Sequence, residues 1–224
     1  MFRRKARRES PRREVKMESD STPIRLEKEQ IERASEVLSR AFRDDPELLS
    51  FVPDPLKRQK LLLSMFRVSL HHALRHGEAY AVSPAIEGVA VWLPSAAPEI
   101  SLWTLLRGGG LGLLFRAGWG FLRKMKEDDD FARKLRRQLA PSPHWYLALL
   151  GVDPELHGKG YASRLLKPML ARLDREKMPA YLETSTEDYV PMYGHFGFKA
   201  IKEATFPGSG TKIWVMMRKT KGDS

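Results

Sequence analysis

The stretch GVDPELHGKGYASRLL, residues 151–166, constrains the fold more than any other part of the chain. It follows an apolar run that reads as a buried strand, His144 to Val152. It then opens a pattern in which Ala162, Leu165, Leu166, Met169, Leu170 and Leu173 share one helical face. A strand, a turn with Pro154, two glycines around Lys159 and a helix make a β-α unit. The first amides of a helix lack intrahelical partners and sit at the positive end of its dipole. Glycines there let an anion approach the backbone, so the unit reads as a phosphate seat as well as a turn.

Two common phosphate motifs do not fit. A P-loop needs four residues between its first glycine and Gly-Lys-Ser/Thr, whereas six separate Gly151 from Gly158, and Gly160 follows the lysine. A dinucleotide fingerprint on Gly158 and Gly160 meets Ser163 at its last glycine, and DPELH intervenes between strand and loop.

Around this unit the chain alternates. TPIRL (22–26) is a short strand, and Ile31, Ala34, Val37, Leu38 and Ala41 have helical spacing. DDPELLSFVPDP reads as a loop, and residues 56–76 as a helix stopped by Gly77. EAYAVS and EGVAVWLP form a hairpin. Residues 95–142 are helical in pattern but broken by glycines, an insertion of two or three helices. Its Trp103, Leu106, Leu114, Phe115 and Trp119 pack on the core or line a pocket. Pro168 sits inside the helix after Gly160 and removes its bond back to Arg164. AYLETS is the next strand and VPMYGHFGF a short helix ending at Gly197. KAIKEATF and KIWVMMRK are closing strands joined by PGSG. The expected class is α/β (α+β), one domain over 21–220 with a core at 144–218.

Composition narrows the chemistry. The absence of cysteine excludes disulfides, thiolate metal sites and a Cys nucleophile. The six histidines show no ligand spacing, so no metal is expected. No apolar run reaches the length of a membrane span, and the N-terminus has no apolar signal core. The expectation is therefore a cytoplasmic protein without a membrane partner. Residues 1–20 hold eight Arg/Lys and four Asp/Glu, so the tail supplies +4 of the net +11. It reads as a basic, disordered leader, and nucleic acid is not an expected partner. The remaining positive charge suits an anionic cofactor. Oligomeric state is unreadable; a homodimer is as compatible with the sequence as a monomer.

VDPELHGKGYA resembles the acyl-CoA signature of the Gcn5-related N-acetyltransferase (GNAT) superfamily: a strand, a V-x-P turn, then Q/R-x-x-G-x-G/A opening a helix. Val152 and Pro154 match the turn, Gly160 the glycine and Ala162 the small residue, while His157 stands where Gln or Arg is usual. ETSTEDYVPMYGHFGFKAI is similar to the family's later segment, with Tyr193 four residues before Gly197; Thr186 stands where an Asn is frequent. The insertion and LETS…VPMYGHFGF resemble the branch containing puromycin N-acetyltransferase.

The resemblance implies a mixed, mostly antiparallel sheet flanked by helices, with a helical insertion before the cofactor-binding strand. It implies direct acetyl transfer from acetyl-CoA to a primary amine of a small molecule. The alternatives are a protein or peptide amine as acceptor, which an open acidic groove favours, or a non-catalytic acyl-CoA- or nucleic-acid-binding module. Leu150, Gly151 and Val152 would meet the pantetheine arm. Amides of Gly158, Lys159, Gly160, Tyr161, Ala162 and Ser163 would hold the pyrophosphate beside His157. Tyr193 is the expected general acid for the leaving thiolate. Glu183, at the end of strand 180–184, is the expected base, because an alkylammonium keeps its proton at neutral pH. His144 is a poorer base.

Overall fold

The computed structural model describes residues 22–100, 118–140 and 143–219. The basic tail and Trp103, Leu106, Leu114 and Phe115 lie outside the described residues. In chain order the elements are β1 (Ile24–Arg25), α1 (Ile31–Ala41), α2 (Pro46–Phe51), α3 (Pro55–His76), β2 (Glu78–Ala81), β3 (Gly88–Pro94) and α4 (Trp119–Leu139). β4 (Trp145–Val152), α5 (Tyr161–Arg175), β5 (Ala180–Thr184), α6 (Tyr189–His195), β6 (Lys199–Thr205) and β7 (Lys212–Arg218) complete them. Among the described residues no helix is long and apolar enough to cross a membrane.

The strands form one open sheet in the order β1-β2-β3-β4-β5-β7-β6. Every neighbouring pair is antiparallel except β4 and β5. The expected fold class is therefore observed. Side chains alternate across each strand, so the two faces build separate cores. On one face, Leu165, Leu166, Met169, Leu170 and Leu173 of α5 pack on Ala90, Trp92, Leu147, Leu182, Trp214 and Met216. On the other, α1 and α3 bring Ala34, Val37, Leu38, Leu62, Phe66 and Leu70 against Ala79, Ala81, Val89 and Val91. On that second face α4 covers the far half, where Leu135 and Phe131 meet Tyr181, Phe206, Ile213 and Val215.

Three local readings change. DDPELLSFVPDP is not all loop. Asp45 caps α2, its Oδ1 accepting from the amides of Glu47 at 3.0 Å and Leu48 at 3.3 Å, with Pro46 preset for the first turn. Six residues are too few to show a helical period. Trp119 is 85% exposed rather than packed on the core or lining a pocket. β4 is half-buried, with only Leu147 and Gly151 fully enclosed. Its register explains this: Val91 faces Leu149 and Trp92 faces Leu147, leaving Ala148 as an extra, bulged residue. A bulge bends its strand, and here β4 pairs β5 only at Trp145↔Ala180 and Tyr146↔Tyr181 before the two part.

Candidate active site

The parting of β4 and β5 leaves two unpaired strand edges side by side. The Asp153 amide donates to Glu87 O at 2.9 Å. By antiparallel alternation Gly151 then bonds toward β3, while Leu150 and Val152 direct their backbone groups toward β5. Gly151 is glycine for a packing reason. A Cβ there would come within 2.8 Å of Leu38 and 3.0 Å of Ala41 on α1.

The loop beyond β4 is held from outside. Arg40 of α1 donates to Asp153 Oδ2 through Nη2 at 2.6 Å and Nε at 3.0 Å, and these bonds hold the Asp153 carboxyl below the usual range. Gly158 and Gly160 have φ of +75° and +77°, the left-handed region that side chains with a Cβ avoid. Gly160 is the N-cap of α5 and offers no capping side chain, so the following amides need an outside acceptor. A Cβ added at either glycine would meet nothing within 4 Å, so an anion has free access to the backbone. Lys159 is exposed, and Tyr161, Ala162 and Ser163 are half-buried at the helix start. His157 turns back on its own strand, its Nε2 donating to Val152 O at 3.1 Å. A helix N-terminus left open beside a parted strand pair fits an extended ligand carrying a phosphate at one end.

Tyr193 of α6 is buried in the α5-side core, edge-on to Phe198 at 6.0 Å. Leu150 and Tyr161 pack against the same cluster. Burial, with the neighbouring Tyr189 phenol, raises its pKa and keeps it protonated. Glu183 lies on the opposite face beneath α4, its side chain 8% exposed. Burial pushes its pKa up, while the Arg136 guanidinium and the phenols of Tyr146 and Tyr181 pull the other way. Arg136 stacks over the Tyr146 ring at 4.1 Å and comes within 3.9 Å of Glu183 Oε1. His144 is buried on the Tyr181 ring at 5.9 Å.

The surroundings of Glu183 were not readable beforehand. Ser185 donates to Asp45 Oδ2 at 2.7 Å, tying the end of β5 to the start of α2. Glu47, in the first turn of α2, is close enough to Glu183, Asp128 and Asp129 for their charges to act on it. Asp128 holds the turn between β6 and β7, accepting from the amides of Gly208 at 2.6 Å and Ser209 at 3.0 Å. Asp-Pro was the signal for α2, but nothing local linked it to β5, which lies 140 residues away.

The fold is thus a mostly antiparallel open sheet whose parallel pair is opened by a bulge, with a glycine-started helix beside it. A family model described as "Acetyltransferase (GNAT) domain" matches residues 133–221. A Schizosaccharomyces pombe protein named an uncharacterized N-acetyltransferase is 30% identical over 182 residues, 78% of this chain and 72% of that protein. The crystal structure of histone acetyltransferase HPA2 and related acetyltransferase from Corynebacterium glutamicum matches with a TM-score of 0.63 at 20% identity, covering 91% of this chain and 98% of that one. Arylalkylamine N-acetyltransferase 2 from Aedes aegypti gives 0.52 at 16%, covering 88% and 97%. This chain belongs to the GNAT acetyltransferase family, whose acetyl donor is acetyl-CoA.

Proposed function

We propose that the protein transfers acetyl from acetyl-CoA directly to the primary amine of a small molecule, within a domain spanning 21–220. The parting of β4 and β5 carries this reading. It sets unpaired backbone at Leu150 and Val152 between an open helix terminus on one face and a buried carboxylate on the other. The amides from Gly158 to Ser163 hold the pyrophosphate, Lys159 adds charge, and an amide near Leu150 polarises the acyl oxygen. Bound acetyl-CoA supplies an activated acyl thioester.

The reacting nitrogen sheds protons on its way to the amide, and Glu183 takes one of them. The raised pKa of this buried carboxyl brings it nearer the pH at which it works. Tyr193 stays protonated and gives its proton to the departing sulfur. A small acceptor is favoured because α4 lies over the sheet face bearing Glu183. The sequence resemblance to the puromycin N-acetyltransferase branch supports the same acceptor class.

The test is thiol release from acetyl-CoA across a panel of small amines and peptides, with acetyl-CoA binding followed by calorimetry. Saturable binding and turnover of small amines are expected. No binding would overturn the reading, and turnover of peptides only would overturn the acceptor class.

A further inference from the structure

An alkylammonium carries three N–H bonds and the amide product one, so two protons leave the nitrogen in each turnover. Glu183 and Tyr193 account for one proton taken from nitrogen and one given to sulfur. Resting on the acetyl-transfer reading, the structure supplies a group for the other.

Five carboxylates gather where α2, α4 and β5 meet, and three are engaged. Asp45 caps α2 and accepts from Ser185. Asp128 holds Gly208 and Ser209. Asp129 is exposed and pairs with Arg133 at 3.1 Å. Glu47 is partly enclosed, and among the described residues its carboxylate makes no hydrogen bond or ion pair. Glu183 Oε1 is buried without a donor at full hydrogen-bonding geometry, although the Tyr146 and Tyr181 phenols lie beside the carboxylate. Buried polar atoms are rarely left without partners, and an N–H donor entering between Glu47 and Glu183 would supply one. Asp45–Ser185 fixes this meeting place, because Glu47 lies two residues beyond one partner and Glu183 two before the other.

We propose that Glu47 is a second carboxylate of the acceptor site, taking the first proton from the incoming ammonium before Glu183 takes the second. The first transfer leaves a neutral amine, whose lone pair forms the N–C bond while the C–S bond breaks with its electron pair on sulfur. The nitrogen then loses its second proton to Glu183, and Tyr193 protonates the thiolate. One of the two protons restores the phenol and the other passes to solvent, so the reaction releases one proton net. Glu47 accepts as the carboxylate, the form that the incoming ammonium favours; burial, then the charges of Asp45, Asp128, Glu183 and Asp129, push its pKa up to about 8 and make that carboxylate a stronger base. Arg136, Tyr146 and Tyr181 face Glu183 from α4, β4 and β5.

Glu47→Gln in the full chain should lower kcat/KM near neutral pH by about 100-fold, with acetyl-CoA affinity unchanged. The loss should shrink as pH approaches the pKa of the amine, and Glu47→Asp should recover part of it. A pH profile parallel to wild type would overturn the proposal. A second readout needs neither turnover nor a folded variant: the 13C carboxyl signal of Glu47 in CoA-loaded wild type, titrated with n-butylamine. A shift toward the ionised form is expected, and no shift would overturn the proposal. Failure of the acetyl-transfer reading is separately visible as wild type that does not bind acetyl-CoA.

Discussion

On the α5 face of the sheet, the groups that suit an anion are backbone groups from one continuous stretch, Leu150 to Ser163. On the α4 face, the groups around Glu183 are side chains from α2, α4, β4 and β5. The first arrangement depends on φ angles and strand ends, so it tolerates changes of side chain. His157 stands where the family has Gln or Arg, and it bonds its own strand. The second depends on which elements happen to meet, and one substitution removes a member of the set.

That contrast breaks first at the buried groups. Glu183→Gln and Tyr193→Phe should each lower turnover by about 100- to 1000-fold while leaving acetyl-CoA affinity within about threefold. Thiol release and calorimetry check both halves, and weakened acetyl-CoA binding by Glu183→Gln would merge the two regions into one.

The next effect is on stability. The pKa of Glu47 rises from an ordinary value near 4.5 to about 8, so the folded state holds a proton that the unfolded state releases between those limits. Its contribution is full below about 4.5 and is lost as pH rises to about 8. Glu47→Gln should therefore be no more stable than wild type at pH 4, yet more stable at pH 8 by roughly 2–4 kcal/mol. Urea midpoints at the two pH values read this. An advantage that grew toward acid pH would contradict the burial of Glu47.

Smaller effects separate the clamp from the loop. A Cβ at Gly208 would stand 2.3 Å from Lys124 O and 2.9 Å from Asp128 Oδ1. Gly208→Ala should cost about 1–3 kcal/mol and act on amine KM rather than on acetyl-CoA. Gly160→Ala should do the reverse, costing about 1 kcal/mol through its left-handed φ and weakening acetyl-CoA severalfold. His157→Ala should change acetyl-CoA affinity least, by under about threefold.

The sequence carried the local devices. Helical spacing marked α1, α3 and α5, and Gly77 and Gly197 sit where α3 and α6 end. Apolar strand runs bounded by turns placed the β2–β3 hairpin and the closing pair. The glycine loop was legible because its residue types act through their own backbone. Ala148 was not: a bulge is a count of one strand against its partner, and nothing in WYLALLGV announces the extra residue. Trp119 looked apolar and therefore inward, but α4 turns Phe121 and Leu135 to the protein instead.

The β-α unit, its glycine loop and the tyrosine that follows were legible in the sequence, because these depend on residues within a few positions of one another. That Glu47, Arg136, Tyr146 and Tyr181 gather about Glu183 became visible only in the packed chain. Their meeting is set by the packing of α2 and α4 onto the sheet and by the Asp45–Ser185 bond, contacts between residues far apart in the chain that no local pattern encodes.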